Sequence, residues 1–215
     1  MRTILSTGTP FPFRHFHVKL VNMKTRSYTM STRAHSVRAT GERILEAALA
    51  RFSTAYYDDV TLDEIAAGAG VTVQTVMRRF GSKAGLARAL TESTSATIAT
   101  QRGEAPVGDV AGAIPILVEH YEQFGDLAML LLRQEERVPA IADATTIGKR
   151  SHAEWVAHVF APWLEERTDA ARQLLHAQLI ATCDVYTWYL LRRQSGLSRA
   201  STQQALTELV KGVLK

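Results

Sequence analysis

Cysteine is almost missing from this 215-residue chain. Cys183 stands alone, which excludes an intramolecular disulfide framework and a cysteine-rich zinc site and leaves a reducing, cytoplasmic setting as the expectation. Long apolar runs are missing too. The densest is LAMLLL, Leu127 to Leu132, well short of the roughly 18 residues a membrane span needs, so no membrane partner is expected. Segments that alternate with period two are absent or very short, which leaves little room for strands. Acids are absent from residues 1–40, which hold Arg2, Arg14, Lys19, Lys24, Arg26, Arg33 and Arg38. The whole chain is +4 while this segment alone is +7, so the basicity belongs to the leading segment and the remainder is net negative.

Catalytic and metal signatures are also lacking. His152 and His158 lie six residues apart, on different faces of a helix, and His120 and His176 have no ligand partner at metal spacing. No metal and no cofactor are expected. There is no glycine-rich phosphate loop, no GxSxG and no His-Asp dipeptide. Cys183 beside Asp184 reads as an inert buried residue in an apolar helix rather than a nucleophile. An enzyme is not expected.

The opening stretch MRTILSTGTPFPFRHFHVKLVNMKTRSYTM is interrupted by Pro10, Pro12, Arg14 and Lys19 and does not build the apolar core of a secretory signal. Residues 1–39 are expected to be a basic extension without fixed structure. A protein begun at Met30 would lose five positive charges and be near neutral.

What is present is helical spacing almost throughout, so the expected fold is all-α. From Thr40, residues Ile44, Leu45, Ala48, Leu49 and Phe52 form one apolar stripe. VTLDEIAAGAGVTV then carries two helix starts. Thr61 can cap the first with Glu64 as reciprocal partner, and Val60 with Ile65 stands at staple positions. Thr72 caps the second, where Val71 and Val76 repeat the staple. Gly70 lies just past the first helix, where a left-handed residue is least costly, and Ala66 lets the two backbones approach. Two short helices joined by a tight turn make a helix-turn-helix, whose second helix enters the major groove of DNA. The stretch GAGVTVQTVMRRFGSK carries Arg78, Arg79 and Lys83, with Arg88 a turn later, and no acid. Such a face suits a phosphate-lined groove. Ser82 caps a third helix whose first turn holds Lys83, a cation opposing the helix dipole, which makes sense if Lys83 and nearby amides meet a phosphate.

TGERILEAALARF, VTLDEIAAGAGVTVQTV and RRFGSKAGL, in that order and spacing, resemble the TetR family of bacterial transcriptional regulators over Thr40 to about Thr91. YEQFGDLAMLLLRQEER, FAPWL and DVYTWYLLRRQSGLSRA are weaker echoes of the C-terminal domain of some members. The resemblance implies a helix-turn-helix DNA-binding domain at 40–91 and a helical effector-binding and dimerisation domain at 92–215. It carries recognition-helix roles onto Thr72, Val73, Gln74, Thr75, Met77, Arg78 and Arg79, with Thr61 beside them, and a phosphate-contacting lysine onto Lys83. Many members have a tyrosine where this chain has Met77, which cannot supply the same hydrogen bond, so Arg78 or Arg79 is expected to take over. Gln74 and Thr75 suit base readout, Gln toward adenine and Thr toward a thymine methyl.

After the loop GEAPVG, helices are expected at about 109–123, 125–136, 139–165, 169–194 and 198–214. Apolar residues wrap most of Leu174 to Leu191. The last helix shows the stripe Ala205, Leu206, Leu209, Val210, Val213 and Leu214, so a homodimer through the last two helices is expected. A small-molecule effector of unnamed chemistry would sit among Tyr121, Phe124, Arg133, Trp155, His158, Asp184 and Trp188, from a wider set that also includes His120, Met129, Phe160, Trp163 and Tyr186. Asp184 must find a partner if buried. The expected function is a dimeric regulator of transcription that binds a near-palindromic double-stranded operator, a repressor released by its effector. The alternative is an all-α small-molecule-binding protein or enzyme whose helix-turn-helix only packs.

Overall fold

The computed structural model describes residues 18–215, with side chains from residue 35 onward. Among the described residues all regular structure is helical, as the spacing predicts. Helix α1 covers Val18–Phe52 and so begins well before Thr40. Neither proline nor glycine lies between Val18 and Thr40, so nothing in that stretch breaks the hydrogen-bond ladder. The expectation of an extension without fixed structure is corrected for 18–39; the rest of it, 1–17, lies outside the described residues. Two compact units divide at Arg43 and Ile44, and the candidate sites all lie in the second.

A short 3-10 turn, Tyr57–Asp59, leads from α1 into α2 (Leu62–Gly68), α3 (Val73–Phe80) and α4 (Lys83–Gly103). Their starts are specified locally. Thr61 and Glu64 form the full capping box on α2, Thr72 accepts from the Thr75 amide on α3, and Ser82 accepts from the Gly85 amide on α4. Gly70, at φ 63°, turns the chain between α2 and α3. Ile44, Ala48, Phe52, Val60, Ile65, Ala66, Val76 and Leu86 close the hydrophobic cluster behind them.

A second, larger cluster is built by α5 (Val110–Leu132), α6 (Pro139–Val159), α7 (Ala161–Glu165), α8 (Asp169–Thr182), α9 (Val185–Tyr189) and α10 (Arg199–Val213). After α9 one π-helical stretch, Leu190–Gln194, continues the chain. Three boundaries differ from those the sequence pattern predicts. Helix α5 runs unbroken through Phe124 and Gly125, because Gly125 is a place of close approach rather than a stop. A Cβ there would lie 2.4 Å from Cζ3 of Trp188, whose side chain is fully buried. The 139–165 helix breaks at Phe160, two residues before Pro162, whose ring and missing N–H cannot continue it. The 169–194 helix breaks at Asp184, which adopts an extended backbone and caps α9 with its own carboxylate on the Tyr186 amide at 2.9 Å. Trp188 is then held by its indole N–H, which donates to Glu122 at 3.2 Å, while Arg192 grips the same carboxylate at 2.8 Å.

The Gly125 fit predicts that Gly125→Ala destabilises the protein by about 1–3 kcal/mol, as overpacking does in a closed core. Gly103→Ala, where a Cβ meets nothing within 4 Å, should be neutral or stabilising. Urea midpoints of the two variants check this; equal midpoints would contradict the packing.

Candidate functional site

Helix α3 turns Val76 into the core and leaves Gln74, Met77, Arg78 and Arg79 exposed, with Thr72 exposed at its start and Val73 and Thr75 half-buried. No acid occurs from Ile65 to Thr91, so no carboxylate within this stretch opposes an incoming phosphate. The hydroxyls of Thr72 and Thr75 stand 3.0 Å apart, so each is already oriented by the other. Thr61 is exposed but committed to its cap: its amide donates to Glu64 at 2.9 Å. The Thr61 backbone amide, then its hydroxyl, and to a lesser degree Arg51, hold the Glu64 carboxyl below the usual carboxylate range.

Lys83 is drawn inward. Its Nζ donates to the Val60 carbonyl at 2.6 Å and reaches the Asp58 carbonyl at 3.5 Å, and it sits 4.4 Å over the Tyr57 ring. In this geometry the ammonium braces the end of the 3-10 turn. Tyr57 in turn stacks on Phe52, with centroids 5.6 Å apart and the rings 9° from parallel. Its backbone N–H donates to Oε1 of Gln134 at 2.7 Å, and the buried Gln134 returns its amide to the Leu130 carbonyl at 2.9 Å. Burial, and then Asp58, push the Tyr57 phenol up.

A cavity of about 260 Å³ lies among the end of α1, α4, α5, α6 and the start of α9. Its walls are mostly apolar, with Leu90, Ile98, Phe124, Leu127, Leu131 and Ile141 prominent, and Thr91, Thr94 and Ser95 add a row of hydroxyls from α4. Leu49 and Phe52 bring α1 to the same wall. Three buried basic side chains line it as well: Arg102, His120 and His152, at 6%, 8% and 7% exposure. Arg102 donates from Nη2 to Nδ1 of His152 at 3.1 Å. A guanidinium can only donate, so His152 accepts at Nδ1 and carries its proton on Nε2, which donates to the Ile180 carbonyl at 3.2 Å. Burial, with the Arg102 charge second, lowers both imidazoles, His120 to about 3. Both are therefore neutral near pH 7, and Arg102, itself lowered by burial, is the buried cation.

Of the pocket residues read from sequence, Tyr121, Phe124 and Asp184 line this cavity, whereas Arg133, Trp155, His158 and Trp188 do not. Trp188 belongs to the core, and Trp155 is buried with its indole N–H on the Arg102 carbonyl at 3.1 Å. His158 faces solvent, and Arg133 donates to the Tyr189 hydroxyl at 3.3 Å. Tyr121 donates to the Cys183 carbonyl at 2.9 Å, and burial pushes the Cys183 thiol up to about 12. Arg102 and His152 were missed. A signal existed for Arg102, which continues the cavity-facing series Ala87, Thr91, Thr94 and Ile98 at helical spacing. Among the described residues no group of three His, Cys, Asp or Glu converges as a metal would require, and no helix is long and apolar enough to cross a membrane.

Residues 44–90 match the family model described as bacterial regulatory proteins, tetR family. Among solved structures, a transcriptional regulator from Rhodococcus sp. Rha1 superposes with a TM-score of 0.64 at 16% identity, covering 81% of this chain and 95% of that one. A transcriptional regulator from Aquifex aeolicus VF5 gives 0.58 at 17%, over 81% and 99%. A TetR-family transcriptional regulator from Rhodococcus sp. gives 0.58 at 14%, over 82% and 99%. At these identities the likeness is one of fold. No curated protein matches the sequence.

The Lys83 geometry predicts that Lys83→Ala weakens the fold even without DNA. Losing the Val60 hydrogen bond should remove about 1 kcal/mol and lower Tm by about 2–4 °C. A melt identical to wild type would mean that the ammonium is not held against the turn.

Proposed function

We propose, from the premise that residues 44–90 are the DNA-binding domain of a TetR-family regulator, that the chain works as a homodimer controlling transcription at a near-palindromic operator. One observation carries this reading: the exposed face of α3 presents Gln74, Met77, Arg78 and Arg79 within a segment that has no acid from Ile65 to Thr91. Gln74 and Thr75 read base edges, while Arg78, Arg79 and the amides at the start of α4 hold phosphates. Lys83 serves the phosphate by way of the turn it braces. Residues 40–91 act as the reading head and 92–215 as the effector and dimer domain of a cytoplasmic protein.

Dimerisation is supported by an uncharged outer face on α8. Ala170, Gln173, Leu174, Ala177, Gln178 and Ala181 are exposed at helical spacing, and Leu174 is 61% exposed. On α10 the expected apolar stripe divides: Leu206 and Val210 are fully buried within the subunit, while Leu209 is 47% exposed. A second copy covers Leu174 and Leu209 and completes a four-helix contact. The cavity is the effector site. Its wall includes Phe52, which stacks on Tyr57, and Tyr57 is tied to Lys83, so an occupant that moves Phe52 moves the support of the reading head. The two heads then change spacing and the protein, a repressor, leaves its operator.

Fluorescence anisotropy of the purified protein with the duplex flanking its own gene, at two salt concentrations with competitor DNA, tests this. Saturable binding at one dimer per site is expected. Gln74→Ala should lose discrimination by about 1–3 kcal/mol at one base pair, whereas Arg78→Ala should weaken every duplex alike and reduce the salt slope by about 1. A folded protein that binds no duplex would point instead to a small-molecule-binding protein. Leu174→Glu should shift the sedimenting species from dimer to monomer; an unchanged dimer would place the interface elsewhere.

A further inference from the structure

Arg102 stands out within the cavity because the usual partner of a buried cation is missing. Its side chain lies in a wall of leucine, isoleucine and phenylalanine at 6% exposure, yet no ion pair among the described residues includes it. Its contacts are all with uncharged groups: Nη2 on His152, and the guanidinium face 4.5 Å from the Trp155 ring. Its Nε–H has no acceptor. On the opposite helix Nδ1 of His120, a residue at 8% exposure, has no partner either. Two buried polar atoms left open on side chains lining one cavity are rare in a finished core, where such groups are nearly always satisfied. A buried charge without a counter-charge is rarer still.

The remaining charges of the lining do not fill this role. Lys149 is paired with Glu135 at 2.8 Å, and Asp184 spends an oxygen on the Tyr186 amide as the cap of α9. The site thus holds a buried guanidinium in no ion pair, a guanidinium N–H and an imidazole nitrogen without partners, the Asp184 carboxylate at its α9 end and an apolar remainder. A water molecule could occupy the donor without neutralising the cation. An anion does both.

We infer that the cavity binds a small organic acid carrying a single carboxylate, its head accepting from Arg102 and His120 and its apolar body lying against Leu90, Ile98, Phe124, Leu127 and Leu131. The inference rests on the reading of the cavity as the effector site and names the chemistry of its occupant. A single guanidinium outside any ion pair suits one negative charge rather than several, and the Asp184 carboxylate in the same lining weighs further against polyphosphates and other polyanions. His120 takes part as the neutral imidazole with its proton on Nδ1, the tautomer that donates. His152 is a positioning residue: its Nε2–H is anchored on the Ile180 carbonyl, which fixes the nitrogen that Arg102 leans on.

Isothermal titration of the full-length protein at pH 7, without DNA, tests the inference with straight-chain probes from butanoate to decanoate beside the 1-alcohol and the 1-amine of each length. At the best-fitting length the acid should bind about tenfold or more tighter than the alcohol, the expected effect of a charge-assisted hydrogen bond to a buried guanidinium, and the amine weaker than either. Arg102→Gln should bring the acid to the level of the alcohol, weakening the acid about tenfold more than the alcohol, while His120→Phe should weaken the acid selectively. Should neither variant fold, the wild-type comparison of acid with alcohol carries the test by itself. Acid and alcohol binding equally well would overturn the carboxylate and leave the cavity as an effector site for neutral molecules. Binding by none of the series would overturn both.

Discussion

Gln134 is a buried amide in the turn between α5 and α6, and both of its ends are committed. The oxygen takes the backbone N–H of Tyr57 across 77 residues of sequence, and the nitrogen gives to the carbonyl of Leu130 one turn back. Leaving either end open in this setting would forfeit about 1–3 kcal/mol, so the amide fixes the 3-10 turn against the end of α5. Much follows from that placement. Tyr57 presents its ring to Phe52 on one side and to the Lys83 ammonium on the other, and Lys83 closes on the Val60 carbonyl just before α2 begins. The helix-turn-helix is set on this joint rather than on a flexible linker.

The same joint borders the cavity, since Phe52 belongs both to the stacked pair and to the cavity wall. That gives the proposed release of DNA a physical route made of packed rings and two hydrogen bonds, and the state it biases is the orientation of the reading head. Helix α4 adds a second connection, with Lys83 at its first turn and Arg102 in its last. An occupant that draws Arg102 therefore acts on the helix whose other end braces the helix-turn-helix. Coupling of this kind is reciprocal: an acid that weakens DNA binding must itself bind less tightly to the DNA-bound protein.

The helix-turn-helix was legible in the sequence because its determinants are local. Thr61 with Glu64, Thr72 with Thr75, and Gly70 lie within a few residues of what they act on, and each took the place its spacing implied. Legibility faded where partners are distant. Lys83 pairs with a carbonyl 23 residues away, so spacing could not reveal that it turns inward. Gly125 reads as a helix stop until Trp188 is seen packed on it. The large aromatics Trp155 and Trp188 looked like pocket walls by composition, yet their size serves the core and their indole N–H groups are spent on Arg102 and Glu122. Asp184 did need a partner, and found it in the backbone two residues on. Arg102 keeps the spacing of the cavity-facing stripe, but the lack of a counter-charge is a property of the folded site alone.

Selection from a pool of random duplexes by the purified protein tests the central claim most directly, because it presumes neither the operator nor the effector. A dimer whose two α3 helices read successive major grooves should enrich a near-palindrome with half-sites about 10 base pairs apart, centre to centre, or a multiple of that spacing. Enrichment of no sequence by a folded protein would contradict the account.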